Sequence, residues 1–437
     1  MFPILLLLIA LFRWFRRDRV SFYLILQFLV FRYYYWLPVG SVRNDDLALL
    51  GVMITSGLSI LQTKPLKNTI NSNVRLFLGL LVIISVISLF YYKIPAGQVI
   101  SGCRQYLFVL CLFDIRRMEY SELCDFFKKL FYLNVFACFL FIAYTLFHIP
   151  IYYSGYNDNV ERIGFMGIKR THMFPTLAPF VCLYAVFVKG LKGQMGKLYG
   201  IIAFGCLLCI QSRGVILNMA ILIVLGYLLV WHKSKSGFVG LLLIAMVGYS
   251  VNAIIFSGDT GTKTMNDLSQ ILSGDVFQNG YEVDGQATFT YRLTLLVSTI
   301  YKMIESSIVT LLFGFGFFIE LSRSMMANLG LLSLMRESWD GYGLFTPDIS
   351  YVNILCYLGF FGGSVYLRFF YLIAINSYRL LKAADKFALM SFLYVIYLLL
   401  IGLDGSSITY PSCLLVVFLL YQAAETQKVM MNKDKNK

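Results

Sequence analysis

Two isolated arginines have the type and placement needed to meet a charged substrate. Arg213 lies in the stretch Gln211–Gly214, between two apolar runs with almost no loop. Charged groups at membrane depth usually face a cavity, a partner or a ligand, although a helix-end arginine can also extend to the membrane surface. Arg292 opens a predicted helix, where the helix dipole disfavours a cation unless an anion is near. The alternative for Arg292 is a solvated loop residue.

Four basic or titratable residues also cluster in one longer loop between apolar runs. Arginine matches phosphate oxygens with two parallel hydrogen bonds, so several basic groups in one loop indicate an anionic ligand. The alternative is pairing with Asp158, Glu161 or lipid headgroups. The members of the group are Arg162, Lys169, Arg170 and His172.

One carboxylate is placed where it could accept a proton. Asp348 precedes an apolar run in Thr346–Tyr351, and a carboxylate at an interface can serve as a general base. The alternative is a helix N-cap, because aspartate near a helix start accepts backbone N–H bonds. The nine cysteines show no metal-ligand spacing, and we interpret them as small buried hydrophobic residues.

The composition decides what kind of scaffold must hold these groups. The 437 residues are 59% hydrophobic and only 14% charged, whereas a soluble domain carries roughly a quarter charged residues. The net charge of +14 comes from short basic clusters between apolar runs. That distribution is typical of cytoplasmic loops rather than of a nucleic-acid-binding surface. The sequence therefore predicts an all-α integral membrane protein.

A bilayer core takes about 20 mostly apolar residues per helix. On that basis the chain has twelve predicted spans. They lie near residues 20–37, 46–62, 74–92, 99–113, 130–149, 172–189, 197–211, 214–231, 238–256, 349–367, 387–403 and 408–422. The first run, Met1–Phe12, is too short to cross comfortably, and we expect a short membrane-dipping segment or the remnant of a helix there.

The basic clusters also predict an orientation. With the loop Arg13–Arg19 in the cytoplasm, every cytoplasmic loop is basic and both ends of the chain lie inside. The chain then divides into an N-terminal bundle (1–256), a long outer loop (257–346), C-terminal membrane helices (347–423) and a cytoplasmic tail (424–437). The long loop holds a predicted amphipathic helix that could roof a cavity on the outer face. Its apolar side carries Leu293, Leu296, Val297, Ile300 and Ile304.

Three stretches and their order give the sequence a family likeness. The first is Gln211–Val215, the second runs from Tyr291 to Gly316, and the third is Asp348–Tyr351 followed by Leu358–Gly362. With about twelve spans and one late, long outer loop, the chain resembles the O-antigen polymerase and O-antigen ligase superfamily of membrane glycosyltransferases, and in particular the Wzy-type polymerases. Arg162-Ile163-Gly164 is a looser match.

The resemblance implies an enzyme with a GT-C-like bundle in the bacterial inner membrane. It would join undecaprenyl-diphosphate-linked repeat units on the outer face, as O-antigen or a related surface polysaccharide, without a metal, nucleotide sugar or other cofactor. Arg213 and Arg292 match the arginine positions of the family and would clamp the diphosphate.

The resemblance also suggests supporting roles. Arg162 or Arg170 would be auxiliary to the clamp, and Tyr351 would contact substrate. The acceptor hydroxyl needs a base; ligase members carry a histidine where this chain has Asp348, which favours a polymerase and leaves His172 as the second candidate for the base.

The expected partners are the lipid bilayer and the lipid-linked glycan donor and acceptor. A chain-length regulator and a flippase are candidate protein partners, and no nucleic acid is expected. Three other functions compete with the polymerase. They are an O-antigen ligase, a lipid-linked oligosaccharide flippase or other transporter, and a non-catalytic member of a glycan-assembly complex. A transporter would more naturally show inverted repeats and mid-membrane charges.

Overall fold

The fold is known from a computed structural model that describes most of the helical chain. The described residues are 2–30, 44–62, 69–147, 162–163, 169–170, 174–191, 193–210, 212–230, 288–318, 326, 328–329, 331, 336–338, 341–343, 349–381, 386–403, 405 and 407–435. The predicted span 238–256 and most of the long loop lie outside these residues.

Helices dominate the described chain. They are α1 (Phe2–Phe15), α2 (Arg19–Val30), α3 (Asn44–Gln62), α4 (Thr69–Phe90), α5 (Ala96–Cys103), α6 (Leu112–Ile115), α7 (Tyr120–Phe147), α8 (Ala178–Leu183), α9 (Gly193–Ile210), α10 (Arg213–Val230), α11 (Thr288–Ser306), α12 (Ile308–Phe313), α13 (Ser350–Leu380), α14 (Lys386–Ile401) and α15 (Pro411–Lys435). A 3-10 segment, Arg104–Cys111, joins α5 to α6, and a π-helical stretch, Tyr184–Lys189, continues α8.

Seven of the described helical segments are long and apolar enough to cross a membrane. They are Asn44–Gln62, Ile70–Phe90, Ala96–Ile115, Tyr120–Phe147, Gly193–Ile210, Ser350–Leu380 and Pro411–Met430. Apolar helices also occupy Phe2–Phe15, Arg19–Val30, Ala178–Lys189, Gly214–Leu229 and Lys386–Ile401, but they are shorter. The protein is therefore a helical, membrane-type chain.

Two short antiparallel ladders accompany the helices. Strands β1 (Arg162–Ile163) and β2 (Lys169–Arg170) pair with each other, as do β3 (Arg336–Ser338) and β4 (Gly341–Gly343). Each ladder is at most three residues long, so the strands serve as local turns within loops rather than as a sheet.

Helices α1 and α2 form a tight hairpin that packs on α3. Asp18 starts α2, with its carboxylate oxygen Oδ1 accepting the backbone N–H of Ser21 at 3.0 Å. Arg17, at φ +62°, reverses the chain in the left-handed conformation. The run Met1–Phe12 is expected to dip into the membrane. From Phe2 onward it belongs to a fourteen-residue helix in which Leu7, Ala10 and Trp14 are buried.

The centre of the molecule is α15, which packs against α7, α14, α2 and the 3-10 segment. Helix α13 packs against α4, α12 and α14 on one side of it. Aromatic rings fill the space between α4, the 3-10 segment and α13, with Tyr366 lying 5.2 Å from Phe77 and 5.4 Å from Tyr106 between ring centroids.

Helix α3 and the segment from Arg104 to Ile115 run side by side in the same direction. At one end Arg104 Nη1 lies 2.9 Å from Asp46 Oδ1, and at the other Ser59 Oγ donates to Asp114 Oδ1 at 2.7 Å. Between these contacts α3 rises about 20 Å, whereas an α-helical path from Arg104 to Asp114 would rise only about 15 Å. The 3-10 winding, at about 2.0 Å per residue, lengthens that path to about 18 Å.

Contacts between loop ends show which helix ends lie together. Arg19 lies near Asp114, Gln422 donates to the carbonyl of Arg116 at 3.4 Å, and Lys386 donates to the carbonyl of Val188 at 3.3 Å. We call this end, defined by Arg19, Arg116 and Lys386, the basic end. The opposite end, where α3 and α13 begin, is called the distal end.

Candidate functional site

Arg213 is the first residue of α10, directly after the chain reverses from α9. The hydroxyl of Ser212 accepts the backbone N–H of Val215 at 3.4 Å, which helps to start the helix. Helix α9 begins five residues after the basic-end contact at Val188 and runs away from it. Arg213 therefore lies at the distal end, and α10 packs from there against α14.

The β1–β2 ladder brings two further predicted site residues together. In its register the Cα atom of Arg162 pairs with that of Arg170, and Ile163 pairs with Lys169. Strand β2 packs against α7 and α9. Like charges directly opposite each other in a ladder are unfavourable.

Arg292 lies in the first turns of α11, which packs against α12 and α13. The guanidinium Nε atom of Arg292 is buried. The packed face of the helix carries hydroxyl groups, because Thr294, Ser298 and Thr299 are buried. The expected apolar side packs less closely: Leu293, Leu296, Val297 and Ile300 are only partly buried, and Ile304 is 62% exposed.

The start of α13 is fixed by a short loop after α14. The backbone N–H of Ser350 donates to the carbonyls of Gly402 and Gly405 at 2.9 and 3.0 Å, and its hydroxyl also donates to the carbonyl of Gly405. Tyr351 donates its hydroxyl to the carbonyl of Leu399 at 2.7 Å. Only the ring and oxygen lone pairs of Tyr351 remain to contact a substrate. Asp348 and His172 lie outside the described residues.

A close crossing of two glycines joins the second and third sequence stretches. Gly314 (φ +79°) ends α12, and Gly359 (φ +66°) breaks the regular winding of α13. Added Cβ atoms would collide with backbone on the partner segment, at Cys356 in one case and at Leu312 in the other. The crossing is closed by the N–H of Phe315, which donates to the carbonyl of Cys356 at 2.7 Å.

Side chains at the end of α4 hold this crossing in place. Tyr92 donates its hydroxyl to the carbonyl of Gly314 at 2.9 Å and lies 2.7 Å from Thr310 Oγ1. Burial raises the pKa of Tyr92, so the hydroxyl keeps its proton at ordinary pH. The backbone N–H of Phe317 donates to Ser88 Oγ at 3.1 Å. These contacts fix the Gly314–Gly359 crossing, which we call the joint, and the joint positions α11 against α13.

One polar cluster at the distal end has no counterpart among the predicted site residues. Arg104 Nη1 donates to both carboxylate oxygens of Asp46, at 2.9 and 3.2 Å. Next to it Gln105 donates to Asn353 Oδ1 at 3.3 Å, and the same oxygen accepts the hydroxyl of Tyr106 at 2.9 Å. The signal was a charged residue inside a predicted span, at 99–113.

At the distal end the described residues thus offer Arg104, Arg213 as the first residue of α10, and the amides and hydroxyls around Asn353. These groups bind anions and sugar hydroxyls by hydrogen bonding. Among the described residues no group of three or more histidine, cysteine or acidic side chains is placed to hold a metal ion.

No protein-family model matches the chain, and no curated protein matches it.

Proposed function

We propose that this protein polymerises undecaprenyl-diphosphate-linked oligosaccharide repeat units by glycosyl transfer at the distal end of the bundle. The proposal includes twelve spans in a GT-C-like bundle in the bacterial inner membrane, with the basic end in the cytoplasm and the distal end outside. The single observation that carries the proposal is the crossing of Gly314 and Gly359. It joins two of the three family-like stretches, so that the helix of Arg292 packs against the helix that follows Asp348.

The proposed reaction makes one glycosidic bond and breaks one sugar–phosphate bond. The acceptor hydroxyl oxygen attacks the anomeric carbon of the donor glycan, and the bonding electron pair leaves with undecaprenyl diphosphate. Arg213 and Arg292 would stabilise the negative charge that gathers on this leaving group. The hydroxyl proton would pass to Asp348, with His172 as the second candidate. Arg162 and Arg170 would assist the clamp.

The first test is deletion of the gene followed by gels of lipopolysaccharide or capsule. Loss of the long-chain ladder with a single capped repeat retained supports the polymerase. Loss of all capped material would instead indicate a ligase or a flippase. An unchanged ladder contradicts all three functions.

The arginine clamp gives the first residue-level prediction. Arg213→Ala and Arg292→Ala should each reduce the ladder to single repeats, because a preorganised donor at a developing anion is worth about 100-fold or more in rate. Arg292→Lys should recover only part of the activity, since an ammonium group cannot bind a phosphate with two parallel bonds. The measurement is ladder length at matched protein levels in membranes.

Two matched controls lie on α11 and on α9, the helix that precedes α10. Lys302→Ala removes a cation from α11 that only meets Glu305, at 3.3 Å, and Lys197→Ala removes an exposed cation from the opposite end of α9. Both controls should leave the ladder intact. Wild-type ladders from Arg213→Ala and Arg292→Ala would remove these two residues from the proposed site.

A further inference from the structure

The Asp46–Arg104 cluster is a charged site inside a membrane-type helix. Arg104 belongs to Ala96–Ile115, one of the seven segments long and apolar enough to cross a membrane. The side chain of Arg104 is 22% exposed and that of Asp46 is 39% exposed. Ionisable groups in such segments are costly in lipid and usually face a polar cavity or a ligand. The remaining exposure of this pair therefore indicates contact with a polar phase.

The charge of the cluster indicates what kind of ligand it suits. Both oxygens of Asp46 lie within hydrogen-bonding distance of one nitrogen of Arg104, so the pair is close to neutral as a unit. A neutralised arginine is a weak phosphate site. Among the described residues, nothing besides this ion pair engages the two side chains, so the remaining guanidinium N–H groups and carboxylate lone pairs can donate to and accept from hydroxyl groups.

The position of the cluster ties it to the proposed reaction. Gln105, the next residue along the chain, donates to Asn353 on the first turn of α13. Ser350, three residues earlier on that helix, anchors the helix start. A ligand group held at Asp46 and Arg104 would thus lie beside the helix that begins two residues after the proposed base.

We infer that Asp46, Arg104 and Gln105 form a saccharide subsite that binds hydroxyl groups of the lipid-linked glycan. This inference rests on the proposed function and adds to it the part of the substrate that these residues recognise. The cluster would contact sugar, whereas Arg213 and Arg292 would contact diphosphate.

The test separates sugar binding from diphosphate binding. Purified protein in lipid nanodiscs is supplied with lipid-linked oligosaccharide extracted from cells that lack the gene, and polymer formation is measured against substrate concentration. Arg104→Ala should raise KM about tenfold, the usual size of a lost charged hydrogen bond. Inhibition by undecaprenyl diphosphate should change less than about twofold in Arg104→Ala, but should weaken about tenfold in Arg213→Ala.

Two further variants exclude a purely structural role. The charge-swapped pair Asp46→Arg with Arg104→Asp keeps an ion pair between α3 and the 3-10 segment, yet reverses the groups offered to the sugar, so KM should stay raised. Gln105→Ala keeps the ion pair altogether and should raise KM severalfold; it serves also if Arg104→Ala fails to fold. The control Arg13→Ala breaks an ion pair of 3.5 Å at the opposite end and should leave KM unchanged.

The outcomes are distinct. If the wild-type protein makes no polymer, the proposed function falls and this subsite falls with it. If the wild-type protein is active but KM is unchanged in both Arg104→Ala and Gln105→Ala, the subsite alone is wrong. Recovery of wild-type KM by the charge swap, or weaker inhibition by undecaprenyl diphosphate in Arg104→Ala, would also overturn the assignment to sugar.

Discussion

Asp18 closes the turn between α1 and α2 and also starts α2. Partial burial by itself would raise the pKa of this carboxyl, but hydrogen bonds from Ser21 and the charge of Arg13 outweigh it, and the pKa is lowered overall. A carboxyl with a lowered pKa in the folded state stabilises the fold above its unfolded pKa, and that contribution is lost as the pH falls through the folded pKa.

Asp18 therefore gives a prediction about stability and its pH dependence. Asp18→Ala should cost about 1 kcal/mol at neutral pH, because the N–H of Ser21 loses its acceptor. Asp18→Asn keeps an acceptor and should cost less. Because asparagine does not titrate, this variant should lack the fall in stability that protonation of Asp18 causes in the wild-type protein below about pH 4. Unfolding of the detergent-solubilised protein, followed by circular dichroism across pH, measures both. Equal stability of wild type and Asp18→Ala would contradict the cap.

The site residues differ in how well sequence reasoning could place them. Arg213 was predictable at a chain reversal, because Ser212–Gly214 leaves no room for a loop between two apolar runs. The pairing of Arg104 with Asp46 was not predictable, because 58 residues separate them and no local sequence pattern indicates the contact. The bond from Tyr351 to Leu399 likewise depends on how α13 meets α14.

At the scale of elements, the joint between α12 and α13 depends on two residues without side chains. Gly359→Ala should destabilise the protein by about 3 kcal/mol, because the new Cβ meets the backbone of Leu312 and Gly314 at a positive φ. Gly79→Ala is the control, since no described residue lies within 4 Å of its added Cβ, and it should be neutral or slightly stabilising. Thermal unfolding and ladder length should both be measured.

The effect of Gly359→Ala on ladder length should be separable from its effect on thermal unfolding. Because the crossing holds α11 against α13, Gly359→Ala should shorten the polymer even at a temperature where the variant remains folded. A variant that unfolds at the wild-type temperature and keeps full activity would show that the crossing is dispensable.

Element boundaries were predictable only where composition changes sharply. The predicted span 387–403 corresponds closely to α14, Lys386–Ile401, because charged residues and glycine bracket the apolar run. The prediction of 130–149 missed ten residues of α7, whose first turns carry Lys128 and Lys129 beside buried Phe126 and Phe127. Hydropathy alone cannot recognise helix turns that are polar on one side.

The 3-10 winding of Arg104–Cys111 had no signal in the sequence at all. Its residues alternate between polar and apolar in no period that distinguishes 3-10 from α-helix. The winding follows from two contacts at fixed positions on α3, and such contacts are known only once the helices are packed.

At the scale of the whole molecule, the grouping of helix ends makes a prediction about sidedness. In cells whose outer membrane is permeabilised, Glu305→Cys should react with a membrane-impermeant maleimide, and Lys129→Cys should react only after the inner membrane is opened. Both native side chains are exposed. Partly exposed Cys103 and Cys124 are first replaced by serine, while the other seven cysteines are buried. The reverse labelling pattern would place the proposed site on the wrong side of the membrane.

The path from Arg104 to Asp114 is fixed to neighbouring helices at both of its ends. Rewinding its eight 3-10 residues as α-helix would shorten it by about 3 Å. One anchor is the Asp46 ion pair; the other is Asp114, held by Trp14, Tyr23 and Ser59 at 2.7 to 3.0 Å. A sugar that drew Arg104 away from Asp46 would free one of these two ends, and the segment could then rewind. In the proposed orientation, a change at the distal end would reach the basic end through a single stretch of backbone.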